Sequence, residues 1–188
     1  LDLFADVILN PTFPDEDFAR LQKQQVATIA QEKVQPVGMA LRVFPKLIYG
    51  EGHAYSTPFT GSGTEESVRR IDTAGLKDFH ATFFKPNNAT LVVVGDVSRD
   101  ELQPMLEQQF RGWKGGDVPQ KNITLVGQRA GPTVYLVDRP DSEQSVIFAG
   151  HVAPPKNNER EIAIEAMNEV LGGSFNARIN MNLREDKG

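Results

Sequence analysis

The 188-residue sequence has no cysteine, which excludes disulfides and thiolate metal ligands and fits a reducing or an oxidising compartment equally well. Histidine is scarce: His53, His80 and His151 make up the full set, and no two stand at the short spacings that place both on one helical face. Zinc usually takes three protein ligands, so each histidine alone reads as loop or core structure. Long apolar runs are also missing, and a stretch such as Leu91–Val94 is far too short to cross a bilayer. A basic stripe is absent from a chain of formal net charge −5, so a nucleic-acid backbone would be repelled overall. Neither a Gly-x-Ser-x-Gly elbow nor a glycine-rich phosphate loop occurs, and Gly61-Ser62-Gly63 reads as a flexible turn. The first residues, Leu1-Asp2-Leu3-Phe4, include no initiating Met and no signal-peptide core, and both ends read as internal cuts.

What is present is ordinary for a folded chain: hydrophobic residues make up 39% and charged residues 24%, enough apolar content to bury a core. Pro14 followed by Asp15, Glu16 and Asp17 suits a helix start, with Phe18, Leu21, Gln25, Ile29 and Glu32 on helical spacing behind it. Pro36 breaks that helix, and a second one carries Met39, Val43 and Leu47 before Gly50 and Gly52 stop it. Short helices are expected after Thr64 and Thr73, and Pro86-Asn87-Asn88 marks a turn. The β-branched run Thr90–Val94 predicts a buried strand. Ser98 and Glu101 have the spacing of a capping box, in which each side chain satisfies a free N–H at a helix start.

Residues 115–132 are rich in Gly, Pro and polar side chains, so 117–131 reads as an interdomain linker, although Ile123–Val126 could add a short strand. Residues 1–116 are then the later part of one domain and 132–188 the first part of the next. Val134–Val137 and Val146–Ala149 are strand signals, and Asn158 with Glu161 suits a helix start. The helix that follows ends at Gly172-Gly173, with Phe175 and Ile179 expected in the core.

Four blocks resemble the pitrilysin/insulinase family of zinc metallopeptidases, the inverted zincins that include mitochondrial processing peptidases. They are Tyr49-Gly50-x-x-His53-x-Tyr55, the run from Phe79-His80 through Pro86-x-Asn88 to Gly95-Asp96, Asp138-Arg139-Pro140 with Gln144, and Leu171-Gly172-Gly173 through Leu183-Arg184-Glu185 to Gly188. The resemblance spans nearly the whole chain in order. It implies an α+β fold: parts of two domains of antiparallel sheet covered by helices, within one half of a clam shell that closes around an unfolded peptide.

In the catalytic half of that family, zinc is held by His-x-x-Glu-His and a distal Glu. Ungapped alignment of the helix from Phe18 to Pro36 puts Thr28 at the distal position, with Glu32 one turn further on. Threonine is a poor zinc ligand, so the resemblance implies the non-catalytic, substrate-holding half, with no metal site and no catalytic residue in this stretch. Zinc belongs to the parent enzyme, and the expected partners are a peptide substrate and a catalytic half of the same family. Arg184 matches the family's substrate-contacting arginine, whose tyrosine companion would fall three positions beyond Gly188. Two alternatives accompany this reading: a one-half homodimeric zinc peptidase with its own upstream His-x-x-Glu-His, and a proteolytically inactive core subunit of a larger complex. The resemblance also favours a bacterial periplasm or cell envelope.

Overall fold

A computed structural model describes residues 1–187. It contains α1 (Asp2–Leu9), α2 (Asp15–Glu32), α3 (Pro36–Tyr49), α4 (Glu65–Arg70), α5 (Thr73–Phe83), α6 (Arg99–Phe110), α7 (Glu161–Asn168) and α8 (Arg178–Asn180). A 3-10 turn spans Pro86–Asn88, and π-helical turns span Glu169–Gly173 and Met181–Asp186. The chain divides into two compact units, Leu1–Ala149 and Gly150–Gly188, and residues 117–131 fall within the first.

Within the first unit, α2 is the backbone of the packing. Pro14 sits extended just before it, and its first turn carries Asp15, Glu16 and Asp17, where carboxylates meet the positive end of the helix dipole. Ile29 is fully buried. Two glutamines on α2 bind backbone on neighbouring segments: Gln22 donates to the Val68 and Ile71 carbonyls, both at 3.0 Å, and Gln25 to that of Ser62 at 3.1 Å. Those acceptors lie in or around α4, so side-chain amides from α2 hold the short helix in place.

The turn from α2 into α3 is tight. A Cβ built on Gly38 would lie 2.5 Å from the Glu32 carbonyl oxygen, so only glycine fits there. Pro45 lies inside α3 and is fully buried. It has no N–H to give the Leu41 carbonyl four residues back, and that oxygen instead accepts from the Phe59 N–H at 2.9 Å. The proline thereby frees an acceptor that ties the following loop to the helix. Gly50 ends α3 with φ at +82°, a conformation that an L side chain rarely adopts. The capping box at Ser98 forms as its spacing predicts: the Ser98 N–H donates to Glu101 Oε2 at 3.0 Å, and Ser98 Oγ accepts from the Glu101 N–H. Phe4 of α1 meets Phe110 of α6 edge-on at 6.4 Å.

The expected antiparallel sheet is not found: among the described residues no segment forms a strand, and the regular structure is helical. Thr90–Val94, Ile123–Val126, Val134–Val137 and Val146–Ala149 have the composition of strands but no ladder. Their apolar side chains stay open to solvent, with Val94 94%, Leu136 92% and Ile147 88% exposed. The physical reason is that a helix satisfies its backbone within one segment, whereas a strand requires hydrogen bonds from a second one. Phe148 does find a partner, packing edge-on against Phe44 at 5.6 Å. Among the described residues no helix is long and apolar enough to cross a membrane.

Candidate functional site

Two polar arrangements bear on function, one in each unit, and they differ in how completely their charges are answered. In the first unit, Glu32 closes α2 and turns its carboxylate toward α3 and the loop after it. Glu32 Oε2 accepts from Arg42 at 2.6 Å, from Ser62 Oγ at 2.7 Å and from Thr60 Oγ1 at 3.1 Å. Arg42 also donates to Ser62 Oγ at 2.7 Å and to the Gly63 carbonyl at 2.8 Å. The pair is largely covered, with the Arg42 side chain 10% and that of Glu32 16% exposed. Burial pushes the Glu32 carboxyl upward, but the hydrogen bonds from Ser62, Arg42 and Thr60 outweigh it and hold the group below its ordinary value.

Thr28 and Glu32, the residues at and one turn beyond the distal position, are both engaged within the chain. The Thr28 hydroxyl donates to the Gln24 carbonyl at 3.1 Å, a back-bond within α2. Glu32 Oε2 is engaged by three donors. Among the described residues no three His, Cys, Asp or Glu side chains converge on one point. His80 bonds the Ile8 carbonyl at 2.7 Å, His53 that of Thr124 at 2.9 Å and His151 that of Val152 at 2.8 Å. Among the described residues, then, the side chains do not present the three convergent donors that zinc usually takes.

In the second unit, α7 continues through the Glu169–Gly173 turn and ends at the two glycines. Asn158 works at the helix entrance: its Oδ1 accepts from the Arg160 N–H at 2.9 Å, and its Nδ2 donates to Glu161 Oε2 at 2.8 Å. Ala177 is buried, and Asn180 fixes the next corner by donating to the Ser174 carbonyl at 2.6 Å. Arg184, on the Met181–Asp186 turn, lies with its guanidinium 4.5 Å from the centre of the Phe175 ring. Its carboxylate neighbour is Glu185, with Nε to Oε1 at 3.8 Å, too long for a good hydrogen bond. The Arg184 side chain remains 65% exposed. Phe175, Asn180, Leu183 and Arg184 line an open cleft of about 280 Å³.

Phe175 and Ile179, expected in the core, are both exposed, and the Phe175 ring serves as the platform under Arg184 instead. Sequence reasoning missed that partnership. The spacing gave no signal, because the two residues sit on different turns that meet only once the chain leaves the helical path at Ser174 and Ala177. It also missed the Arg42 network, whose members lie in a helix and in a turn that had read as merely flexible. Gly188, the last residue of the fourth resembling block, lies outside the described residues.

Comparison with known proteins gives the class. Residues 70–188 match the sequence profile of the family described as the peptidase M16 inactive domain, and the chain belongs to that family. A Bacillus subtilis (strain 168) protein named uncharacterized zinc protease YmxG is 23% identical over 188 residues, covering all of this chain and 44% of that protein. The zinc protease PqqE of Helicobacter pylori is 22% identical over 204 residues, covering all of this chain and 42% of that protein. A crystal structure of a peptidase M16 inactive domain from Pseudomonas fluorescens is similar with a TM-score of 0.73 and 25% identity, over 97% of this chain and 43% of that one. The chain thus spans less than half the length of these relatives. The resemblance to zinc metallopeptidases holds at the level of the family, and the path of the chain matches the family fold although the expected ladders are not found among the described residues.

Proposed function

We propose that this chain is part of the non-catalytic, substrate-holding half of a zinc-dependent endopeptidase that acts on peptides or unfolded polypeptides, with Arg184 gripping the substrate. The observation that carries this reading is the state of Arg184: a guanidinium oriented by an aromatic ring, open to solvent, and with only a long contact to a carboxylate. A guanidinium offers five N–H donors in a fixed plane, suited to the carbonyl oxygens of an extended peptide. Held beside the scissile bond, it would also steady negative charge as a tetrahedral intermediate forms. Phe175 and Leu183 supply apolar walls for a neighbouring substrate side chain, and Asn180, engaged with Ser174, keeps the corner rigid. Zinc and the general base would come from the catalytic half, which is the partner this reading requires.

The test is steady-state peptide hydrolysis by the full-length parent protein with its catalytic half, comparing wild type with Arg184→Ala and Arg184→Lys. The reading expects kcat/KM to fall on the order of 10–100-fold in Arg184→Ala, consistent with one charged hydrogen bond, and Lys to restore part of it. Unchanged kcat/KM in both variants would remove Arg184 from substrate contact. An assembly of wild-type chains that shows no hydrolysis with any added zinc would favour the inactive core-subunit alternative.

A further inference from the structure

The Arg184 guanidinium has two neighbours of opposite character. It lies 4.5 Å from the centre of the Phe175 ring, and its Nε lies 3.8 Å from Glu185 Oε1. Adjacent residues on a helical turn diverge, so Glu185 meets the guanidinium at one edge instead of closing a two-point pair with it. Both side chains stay largely in solvent, 65% exposed for Arg184 and 53% for Glu185. Glu185 therefore leaves the cation able to donate, and adds a negative charge next to whatever the cation holds.

The rest of the cleft is uncharged: among the described residues Phe175, Asn180 and Leu183 complete its lining, and Phe175 and Leu183 are both exposed. Asn180 has its Nδ2 donating to the Ser174 carbonyl at 2.6 Å. No second cation stands in that lining to offset Glu185. A cation beside an anion, set between apolar walls, still holds a neutral carbonyl through directed N–H bonds. It gives a carboxylate little net attraction, and the apolar walls would strip water from that carboxylate without replacing it.

Resting on the substrate contact proposed above for Arg184, we propose that Glu185 is a specificity-determining residue. Its charge makes the cleft select peptides that present an uncharged, apolar side chain there and turn away acidic ones. Arg184 grips the peptide carbonyls, and Phe175 and Leu183 receive the apolar side chain. Glu185 repels the carboxylate that a lone guanidinium would otherwise draw in.

Hydrolysis by the full-length parent protein with its catalytic half tests this, using one cleaved peptide in which each residue flanking the cleaved bond is replaced in turn by Leu, Gln or Glu. At the position the cleft reads, wild type should prefer the Leu peptide to the Glu peptide. In Glu185→Gln, kcat/KM for the Glu peptide should rise about three- to tenfold relative to the Leu peptide, as the removal of one exposed charge several ångström from another implies. The Gln peptide should keep its ratio to the Leu peptide, and Glu185→Asp, which keeps the charge, should select as wild type does. Asp186→Asn removes an equal charge whose partner at 3.5 Å is Asn182 and not Arg184, and it should shift the ratio less. An unchanged ratio at every position in Glu185→Gln, or an equal shift in Asp186→Asn, overturns the selective role of Glu185. Should Arg184→Ala still lower kcat/KM for all the peptides in that case, the grip proposed for Arg184 stands without it. Should Arg184→Ala change nothing, or the wild-type assembly hydrolyse no peptide, both readings fall together.

Discussion

Glu32 and Arg184 are both charged residues near the end of a helical stretch, and the surroundings give them opposite uses. Glu32 is covered and meets three donors from α3 and the following loop. Arg184 is exposed, leans on an aromatic ring and has one long carboxylate contact. A third charge, Lys156, shows the intermediate case: exposed, yet paired with Glu161 at 2.7 Å and with Glu165, both of which raise its affinity for a proton. A charge whose partners are all supplied by its own chain stabilises the fold. A charge left open keeps its hydrogen-bonding capacity, which is what the role proposed for Arg184 requires.

The comparison breaks first at Arg42. Replacing it with Ala leaves the Glu32 carboxylate covered and without its cation, which should cost about 2–4 kcal/mol in urea denaturation. The double variant with Glu32→Gln should recover part of that loss, because the uncompensated charge is then gone. A cost below about 0.5 kcal/mol for Arg42→Ala would show the network to be a surface pair. Gly38→Ala tests the same corner sterically. Its Cβ would run into the Glu32 carbonyl, and the clash with backbone should cost about 1–3 kcal/mol by the same measurement.

Acid sharpens the contrast. The Glu32 carboxyl is held below its ordinary value of 4.5, so the folded chain binds that proton less readily than the unfolded one. Its contribution is therefore complete above about pH 4.5 and is lost as pH falls from there through the lowered folded-state value. Glu32→Gln should flatten the stability profile in that acid window and leave its slope at neutral pH unchanged. An identical acid slope in wild type and Glu32→Gln would assign the loss to other carboxylates.

How much of this was legible in the sequence depended on whether the physics was local. Helix starts at Asp15, Pro36 and Arg99 could be read because proline, acidic first turns and the Ser98–Glu101 box act within one or two turns. The strands could not. Thr90–Val94 and Val134–Val137 have strand composition, but pairing is a property of two segments, and composition specifies only one. The Glu32 network joins residues up to 30 positions apart, through hydroxyls on a loop whose glycines pointed only to a turn. Arg184 was found by resemblance alone, and its Phe175 platform needed the fold.

The smallest effect is expected where the site is most open. Arg184→Ala removes a cation–ring contact and one long ion pair, both exposed, and such contacts contribute about 0.5–1 kcal/mol at most. On the function proposed above, in which Arg184 contacts substrate, the same variant should reduce peptide turnover by the full-length protein far more than that figure implies. Phe175→Leu separates the two roles: it keeps an apolar wall, removes the ring that orients the guanidinium, and should leave stability within about 0.5 kcal/mol of wild type. Its kcat/KM should fall by less than that of Arg184→Ala, because the cation is still present but less well aimed. Should Arg184→Ala destabilise the chain by several kcal/mol, the residue belongs with Glu32 as a fold-building charge, and the contrast between the two would disappear.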